Sequence, residues 1–284
     1  MIVWRDGEFV EAAGAVAADD RGFLIGDAVF ETILVDHGAP AFLDRHLERM
    51  RRGRDTLGIA RNLDAEEVSA AIDALARRKS FPGRAVCRVT LSRSGGPRGL
   101  APHGSAKPRL YLSLATAAAP PERLRVIVSG RRRWTGASTN SFKCAGAYAE
   151  NMLARTEASS RGADEAILLN EAGRVACATS ANLFVVMDDR LLTPALSEGA
   201  MPGVVRGILL EEAETLGIEP SQSLVTPDDL LQGDLLLTNS VIGPARAELE
   251  GSPGSGGGAA AGRLIAAYQR RLDAEFSRRT GARA

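Results

Sequence analysis

Paired prolines near the middle of the chain divide it more sharply than any other feature. The run Ala117-Ala118-Ala119-Pro120-Pro121-Glu122 suits neither a helix interior nor a central strand, because proline lacks the backbone donor and clashes with a preceding helical turn. It reads as an interdomain linker over 117–122, with a small N-terminal α+β domain (1–116) before it and a larger domain (123–284) after it. A chain of 284 residues has room for two such domains, each with its own core.

Local patterns fill in the halves. Short apolar runs flank Asp6-Gly7, so Val3 to Val10 reads as a tight hairpin. Residues 28–35 are strand-like, His37-Gly38 can turn, and 40–43 can return. Asp44 is the expected N-cap of a helix that shows Leu47, Met50 and Leu57 on one face and ends at Gly58. A second helix is expected from Asp64, with Glu67 completing a capping pair. Strands near 85–92 and 109–116 finish the unit. The second half mixes strands at 124–129, 164–169, 182–187 and 234–239 with helices near 145–161 and 203–216. Residues 251–262 read as a flexible low-complexity loop, followed by an amphipathic helix from Leu264 to Phe276.

Composition excludes several classes of function. Thirty-five Lys and Arg balance 35 Asp and Glu, so the chain lacks the basic field of a nucleic-acid or acidic-membrane binder. The first residues show no secretory signal, and no apolar run approaches a membrane span, which points to a cytoplasmic protein. Cys87, Cys144 and Cys177 form no Cys-x-x-Cys pair, against both a disulfide framework and a bound metal. No Walker loop, Gly-x-Gly-x-x-Gly fingerprint or Ser-His-Asp order is present.

What remains is distributed over separated segments. Asp20-Arg21-Gly22-Phe23-Leu24-Ile25-Gly26-Asp27-Ala28-Val29-Phe30-Glu31-Thr32 is followed by His46-Leu47-Glu48-Arg49. Arg88-Val89-Thr90-Leu91-Ser92-Arg93-Ser94-Gly95-Gly96-Pro97-Arg98-Gly99 comes next. Then come Asn140-Ser141-Phe142-Lys143-Cys144-Ala145-Gly146-Ala147-Tyr148, and Asp164 to Asn170 with Gly173 to Phe184. In order and spacing these segments resemble the class IV aminotransferase family, the fold type IV enzymes that depend on pyridoxal 5′-phosphate. That family includes branched-chain and D-amino-acid transaminases and 4-amino-4-deoxychorismate lyase. The resemblance covers residues 1 to 250 and implies a two-domain α+β fold with a barrel-like β core in the larger domain, the cofactor held between the domains, and a homodimer.

The resemblance also implies roles. Lys143 would carry the cofactor as a Schiff base and then move the substrate's α-proton, and the uncharged stretch 141–149 around it would lower the amine's pKa by desolvation. Arg49 would grip the phosphate with its paired donors. Tyr148 would hydrogen-bond the ring oxygen. Met201-Pro202-Gly203-Val204-Val205-Arg206 is similar to a phosphate-receiving turn at a helix start, where the N–H groups of Val204 and Val205 would serve. In that turn Val205 replaces the usual threonine. Leu237-Thr238-Asn239-Ser240 matches the last phosphate-binding strand end, with Asn239 backbone and Ser240 hydroxyl as donors. Phe30, Arg88 and Arg98 are the residues expected to bind substrate, the two arginines at its carboxylate, and either arginine is equally open to a structural role.

One position departs from the family. Five residues before Asn182, relatives carry a glutamate that keeps the pyridine nitrogen protonated, whereas this chain has Cys177. A neutral thiol weakens the ring as an electron sink, which tilts the chemistry toward elimination; a small buried structural cysteine is the alternative. Together with the glycine-rich arginine loop and the chain length, this favours a lyase releasing 4-aminobenzoate and pyruvate for folate biosynthesis. The Tyr148 spacing favours an amino-acid transaminase. Loss of both the glutamate and the threonine motivates a third reading, a degenerate homologue that binds the cofactor without turnover.

Overall fold

A computed structural model describes residues 1–79, 81, 83–96, 99–102, 107–187, 189–252 and 258–281. The chain forms two compact units, the first from Met1–Ala117, Phe142–Ala147 and Ala274–Ala284, the second from Ala118–Ser141 and Tyr148–Asp273. The chain therefore leaves the first unit at the expected linker but returns to it twice. The units are not the continuous 1–116 and 123–284 of the sequence reading.

In the first unit β1 (Ile2–Arg5) and β2 (Glu8–Glu11) pair across Asp6-Gly7, both at positive φ as a tight hairpin turn requires. Helix α1 (Arg21–Ile25) is capped by Asp20, which accepts from the Gly22 and Phe23 N–H groups. Strands β3 (Ala28–Asp36) and β4 (Ala39–Pro40) follow, then helices α2 (Leu43–Leu57) and α3 (Ala65–Lys79), and strands β5 (Arg84–Ser92) and β6 (Arg109–Thr116). The strands form one antiparallel sheet in the order β2-β1-β6-β5-β3-β4. Leu47 and Met50 of α2 and Ile72 and Leu75 of α3 are buried in one cluster with Ile33, Val89, Leu91 and Leu112 of the sheet.

Two expected caps are corrected. Asp44 lies inside the first turn of α2, and the N-cap is Phe42, in the left-handed region at φ 49°. The Phe42 N–H donates to Glu275 Oε1 at 3.2 Å, so a residue far along the chain supplies the acceptor. At α3, Asp64 does cap, accepting the Glu66 N–H at 2.9 Å, but Glu67 pairs with Arg61 at 2.9 Å instead of reaching back.

The second unit comprises β7 (Arg123–Arg133), α4 (Ala149–Ser160), β8 (Glu165–Asn170), β9 (Val175–Ala178), β10 (Asn182–Met187), β11 (Arg190–Pro194), α5 (Val204–Thr215), β12 (Glu219–Ser223), β13 (Asp234–Asn239) and β14 (Gly243–Leu249), with most of α6 (Ala259–Gly281). Its mixed sheet has the order β12-β11-β10-β13-β14-β7-β8-β9, with β7 parallel to both neighbours. The sheet curls until its edges approach, and the Val175 N–H on β9 donates to the Val225 carbonyl just beyond β12 at 2.8 Å. Strand β8 is buried along its whole length. Ile167 and Leu169 point into the core shared with Leu183, Val185 and Leu235, while Ala166 and Leu168 pack with Ala154, Ala158 and Cys177.

Helix α6 begins at Ala259, inside the stretch read as a loop, and runs past Phe276 to Gly281. Alanine is the best helix former and Ala261 is fully buried, so 259–261 joins the helix despite its low complexity. Residues 253–257 of that expected loop lie outside the described residues.

Candidate active site

The stretch carrying Lys143 is built into the first unit. Phe142 is fully buried with its ring against α2 at Gly53, where a Cβ would come within 2.5 Å of Phe142 Cδ2. Cys144 makes an antiparallel bridge with Val29, and the Phe30 N–H donates to the Lys143 carbonyl at 3.0 Å. So anchored, the half-buried Lys143 places its Nζ 5.2 Å from the centre of the Phe30 ring. The Arg88 guanidinium stacks on the same ring at 3.8 Å, and its Nε donates to Thr90 Oγ1 at 3.2 Å. The structure thus brings Lys143, Phe30 and Arg88 together. Arg98 lies outside the described residues.

Glu31, the next residue of β3, is buried with Arg49 and His46 of α2. Arg49 donates from Nε to Oε1 and from Nη2 to Oε2, each at 2.7 Å, and His46 Nδ1 lies 2.8 Å from Oε2. Burial works to raise the Glu31 pKa, but the charges of Arg49 and His46 and their hydrogen bonds overcome it and hold the carboxyl far below its usual 4.5. Burial pushes the His46 pKa down against the pull of Glu31, with Arg49 and Lys143 adding to the fall. Near neutral pH the ring is therefore uncharged, gaining its charge only in acid, and its carboxylate partner assigns the proton to Nδ1.

The same surroundings act on Lys143. Burial lowers its pKa first, Arg49 adds to that, Glu31 opposes and Arg88 contributes, leaving the amine at about 8 against an ordinary 10.5. About a tenth of the amine is then the neutral nucleophile at pH 7, far more than for an ordinary lysine.

In the second unit Tyr148 is half-buried at the N-cap of α4, its carbonyl accepting the Met152 N–H at 2.9 Å. Cys177 is buried on β9 among Ala154, Ala158, Ala166 and Leu168, and burial pushes its thiol up, so it is neutral. Val204 and Val205 open α5 and are both buried. Behind them a Cβ on Gly203 would collide with Asn182 Oδ1, so any larger residue would force Asn182 to move. Asn182 also donates from Nδ2 to the Met201 carbonyl at 2.8 Å. Asn239 Oδ1 accepts from the Val241 and Ile242 N–H groups at 2.9 and 3.0 Å, folding the turn that carries the half-buried Ser240.

Glu31, His46, Asn182, Arg206 and Thr238 carried no role in the sequence reading, unlike Arg49. Glu31 announces itself as a charge in the middle of an apolar strand, and His46 and Arg49 as a pair three apart on one helix face, which together require a shared partner. Asn182, Arg206 and Thr238 lack such a signal. Cys87, Cys144 and Cys177 are free and buried. Among the described residues no group of His, Cys, Asp and Glu could hold a metal ion, and no helix is long and apolar enough to cross a membrane.

The chain belongs to the class IV amino-transferase family, which it matches over residues 28–247, and is therefore an enzyme. It is 30% identical over 241 residues to a putative branched-chain-amino-acid aminotransferase of Methanocaldococcus jannaschii, covering 83% of each chain. It is 29% identical over 248 residues to the aminodeoxychorismate lyase of Bacillus subtilis, covering 85% of this chain and 84% of that one. Among solved structures, the 4-amino-4-deoxychorismate lyase of Pseudomonas aeruginosa superposes with a TM-score of 0.81 at 30% identity, covering 96% of this chain and 98% of that one.

Proposed function

We propose that this enzyme binds pyridoxal 5′-phosphate on Lys143 and acts as a 4-amino-4-deoxychorismate lyase, releasing 4-aminobenzoate and pyruvate. The residues fit the cofactor. Lys143 offers an amine depressed to about 8 for an aldehyde. The uncapped start of α5 offers N–H groups for a phosphate, and Thr238 Oγ1 nearby is buried with no hydrogen-bond partner. When bound, the cofactor supplies an electron sink that allows bonds at the substrate's α-carbon to break.

The protein's own groups divide the remaining work. Lys143, displaced by substrate, holds and moves the α-proton. Arg49, oriented by Glu31, and the N–H groups of Val204 and Val205, with Asn239 N–H and the Ser240 hydroxyl, bind phosphate. Tyr148 donates to the ring oxygen. Arg88, stacked on Phe30 beside Lys143, holds a substrate carboxylate, with Arg98 as its companion. This reading includes a cytoplasmic homodimer, as the family resemblance implies.

The observation that carries the lyase reading is Cys177, a neutral thiol in an apolar cluster where relatives carry the glutamate that protonates the ring nitrogen. A weaker electron sink favours rapid loss of a leaving group over the longer-lived charge that amino transfer needs. The relationship to the Bacillus lyase supports the same reading, and that to the Methanocaldococcus protein, with Tyr148 five residues after Lys143, supports a transaminase as the second one. Supplying aminodeoxychorismate alone separates them: pyruvate released without a keto acid is expected, and strict dependence on a keto acid refutes the lyase. A non-catalytic homologue is excluded by turnover in either assay. Absence of a borohydride-fixed pyridoxyl group on Lys143 by mass spectrometry refutes both enzyme readings.

A further inference from the structure

Helix α5 begins behind Gly203, whose backbone is extended at φ −69° and ψ 142°; no side chain caps it, and its first turn holds no acidic residue. The third residue of that turn, Arg206, is 4% exposed. Its Nη2 donates to the Pro194 carbonyl at 3.1 Å and to Gln222 Oε1 at 2.9 Å, both neutral acceptors, and its Nε has no partner. Among the described residues no carboxylate pairs with this guanidinium, and burial alone pulls its pKa down to about 10. Thr238, 1% exposed, likewise has an unpartnered Oγ1. It faces Asn182 across the β10–β13 ladder, and Asn182 is the residue pressed against Gly203. An uncapped helix start, a buried cation without a counter-ion and an unsatisfied buried hydroxyl thus share one corner of the second unit.

A buried charge is strongly destabilising unless an opposite charge answers it, and buried polar atoms are normally satisfied. We propose that Arg206 is the built-in charge partner of a phosphate received at the N-terminus of α5, which rests on the cofactor reading above. It is a positioning residue. Its charge adds to that of the helix terminus from inside the core, where salt screens it less than a surface arginine. The alternative is a purely structural arginine that ties the ends of β11 and β12 through Pro194 and Gln222.

The test uses wild type, Arg206→Met and Arg206→Lys, each stripped of cofactor, in thermal unfolding with and without inorganic phosphate, and in binding of pyridoxal 5′-phosphate and of pyridoxal. Stripped Arg206→Met is expected to unfold at or above the wild-type temperature, because it no longer buries an unanswered charge. Phosphate should stabilise wild type and Arg206→Lys but not Arg206→Met. The dissociation constant for pyridoxal 5′-phosphate should rise about tenfold or more in Arg206→Met, while that for pyridoxal stays unchanged. A stripped Arg206→Met less stable than wild type, equal phosphate stabilisation of the two, or no phosphate stabilisation of wild type overturns the proposal. A wild type that answers inorganic phosphate yet takes up no cofactor on Lys143 refutes the cofactor reading and leaves Arg206 judged by the phosphate arm.

Discussion

Both carboxylate oxygens of Glu31 are engaged by the fork of Arg49, Nε to Oε1 and Nη2 to Oε2 at 2.7 Å each, on a strand and a helix that bury both residues. A bidentate pair of this kind fixes the plane of the guanidinium as well as its position. On the cofactor reading proposed above, the orientation in which Arg49 would meet a phosphate is therefore set before any ligand arrives.

Glu31→Gln should break that arrangement and leave Arg49 buried without its counter-charge, lowering stability by about 3–5 kcal/mol in urea unfolding. The folded carboxyl titrates below its ordinary 4.5, so its contribution is complete above 4.5 and is lost as pH falls toward the folded value. The gap between wild type and variant should be constant near neutrality and narrow below pH 4.5. A gap that persists unchanged in acid would show that the pair contributes through shape and not charge.

Lys143 should react with pyridoxal 5′-phosphate along a pH curve whose midpoint lies at about 8, not at 10.5. Arg49 is among the groups that depress this amine, so Arg49→Gln should move the midpoint upward. Absorbance-monitored uptake across pH in stripped protein reads both values. A midpoint unmoved by the substitution would separate the arginine from the lysine.

Gly53→Ala should cost about 1–3 kcal/mol, because the added methyl overlaps the Phe142 ring in a closed core. Since Phe142 precedes Lys143, the variant should also shift the Lys143 midpoint toward 10.5 as the amine's surroundings loosen. Retention of both stability and midpoint would mean that the ring moves aside freely.

Cys177→Glu should raise the ratio of amino transfer to pyruvate release by restoring a carboxylate to the ring nitrogen. It should also destabilise the stripped protein, because a larger, charged side chain must be buried among Ala154, Ala158, Ala166 and Leu168, with Glu165 opposing its charge and Arg133 offsetting only part of that cost. Product analysis with and without a keto acid measures the ratio, and an unchanged ratio would count against the electron-sink argument.

The legible parts of this chain are those with local causes. The Asp6-Gly7 turn, the Gly58 stop of α2 and the apolar run of β5 each carry their own signal. Strand β12, Glu219-Pro220-Ser221-Gln222-Ser223, does not. It is polar and contains proline, and it survives as the edge partner of β11 alone. Strand β9 is too short to show alternation. Lys143, Arg49 and Cys177 were reachable through resemblance, and Glu31 signals its need for a partner, whereas the pairing of Glu31 with Arg49, 18 residues away, is set by tertiary packing. The stop for Phe42 was out of reach for the same reason, since its acceptor is 233 residues away.

The unit that houses Lys143 is stitched from three separated stretches of chain, with Phe142 filling its core and Glu275 receiving the Phe42 N–H. A polypeptide released only as far as residue 117 therefore has its sheet and both long helices yet lacks a core aromatic and a helix cap. Closing it demands two long loops, an entropic cost that slows folding. The lysine's depressed basicity is thus acquired late, when those distant stretches lock into place, and an unfinished chain carries an ordinary, protonated amine at that position.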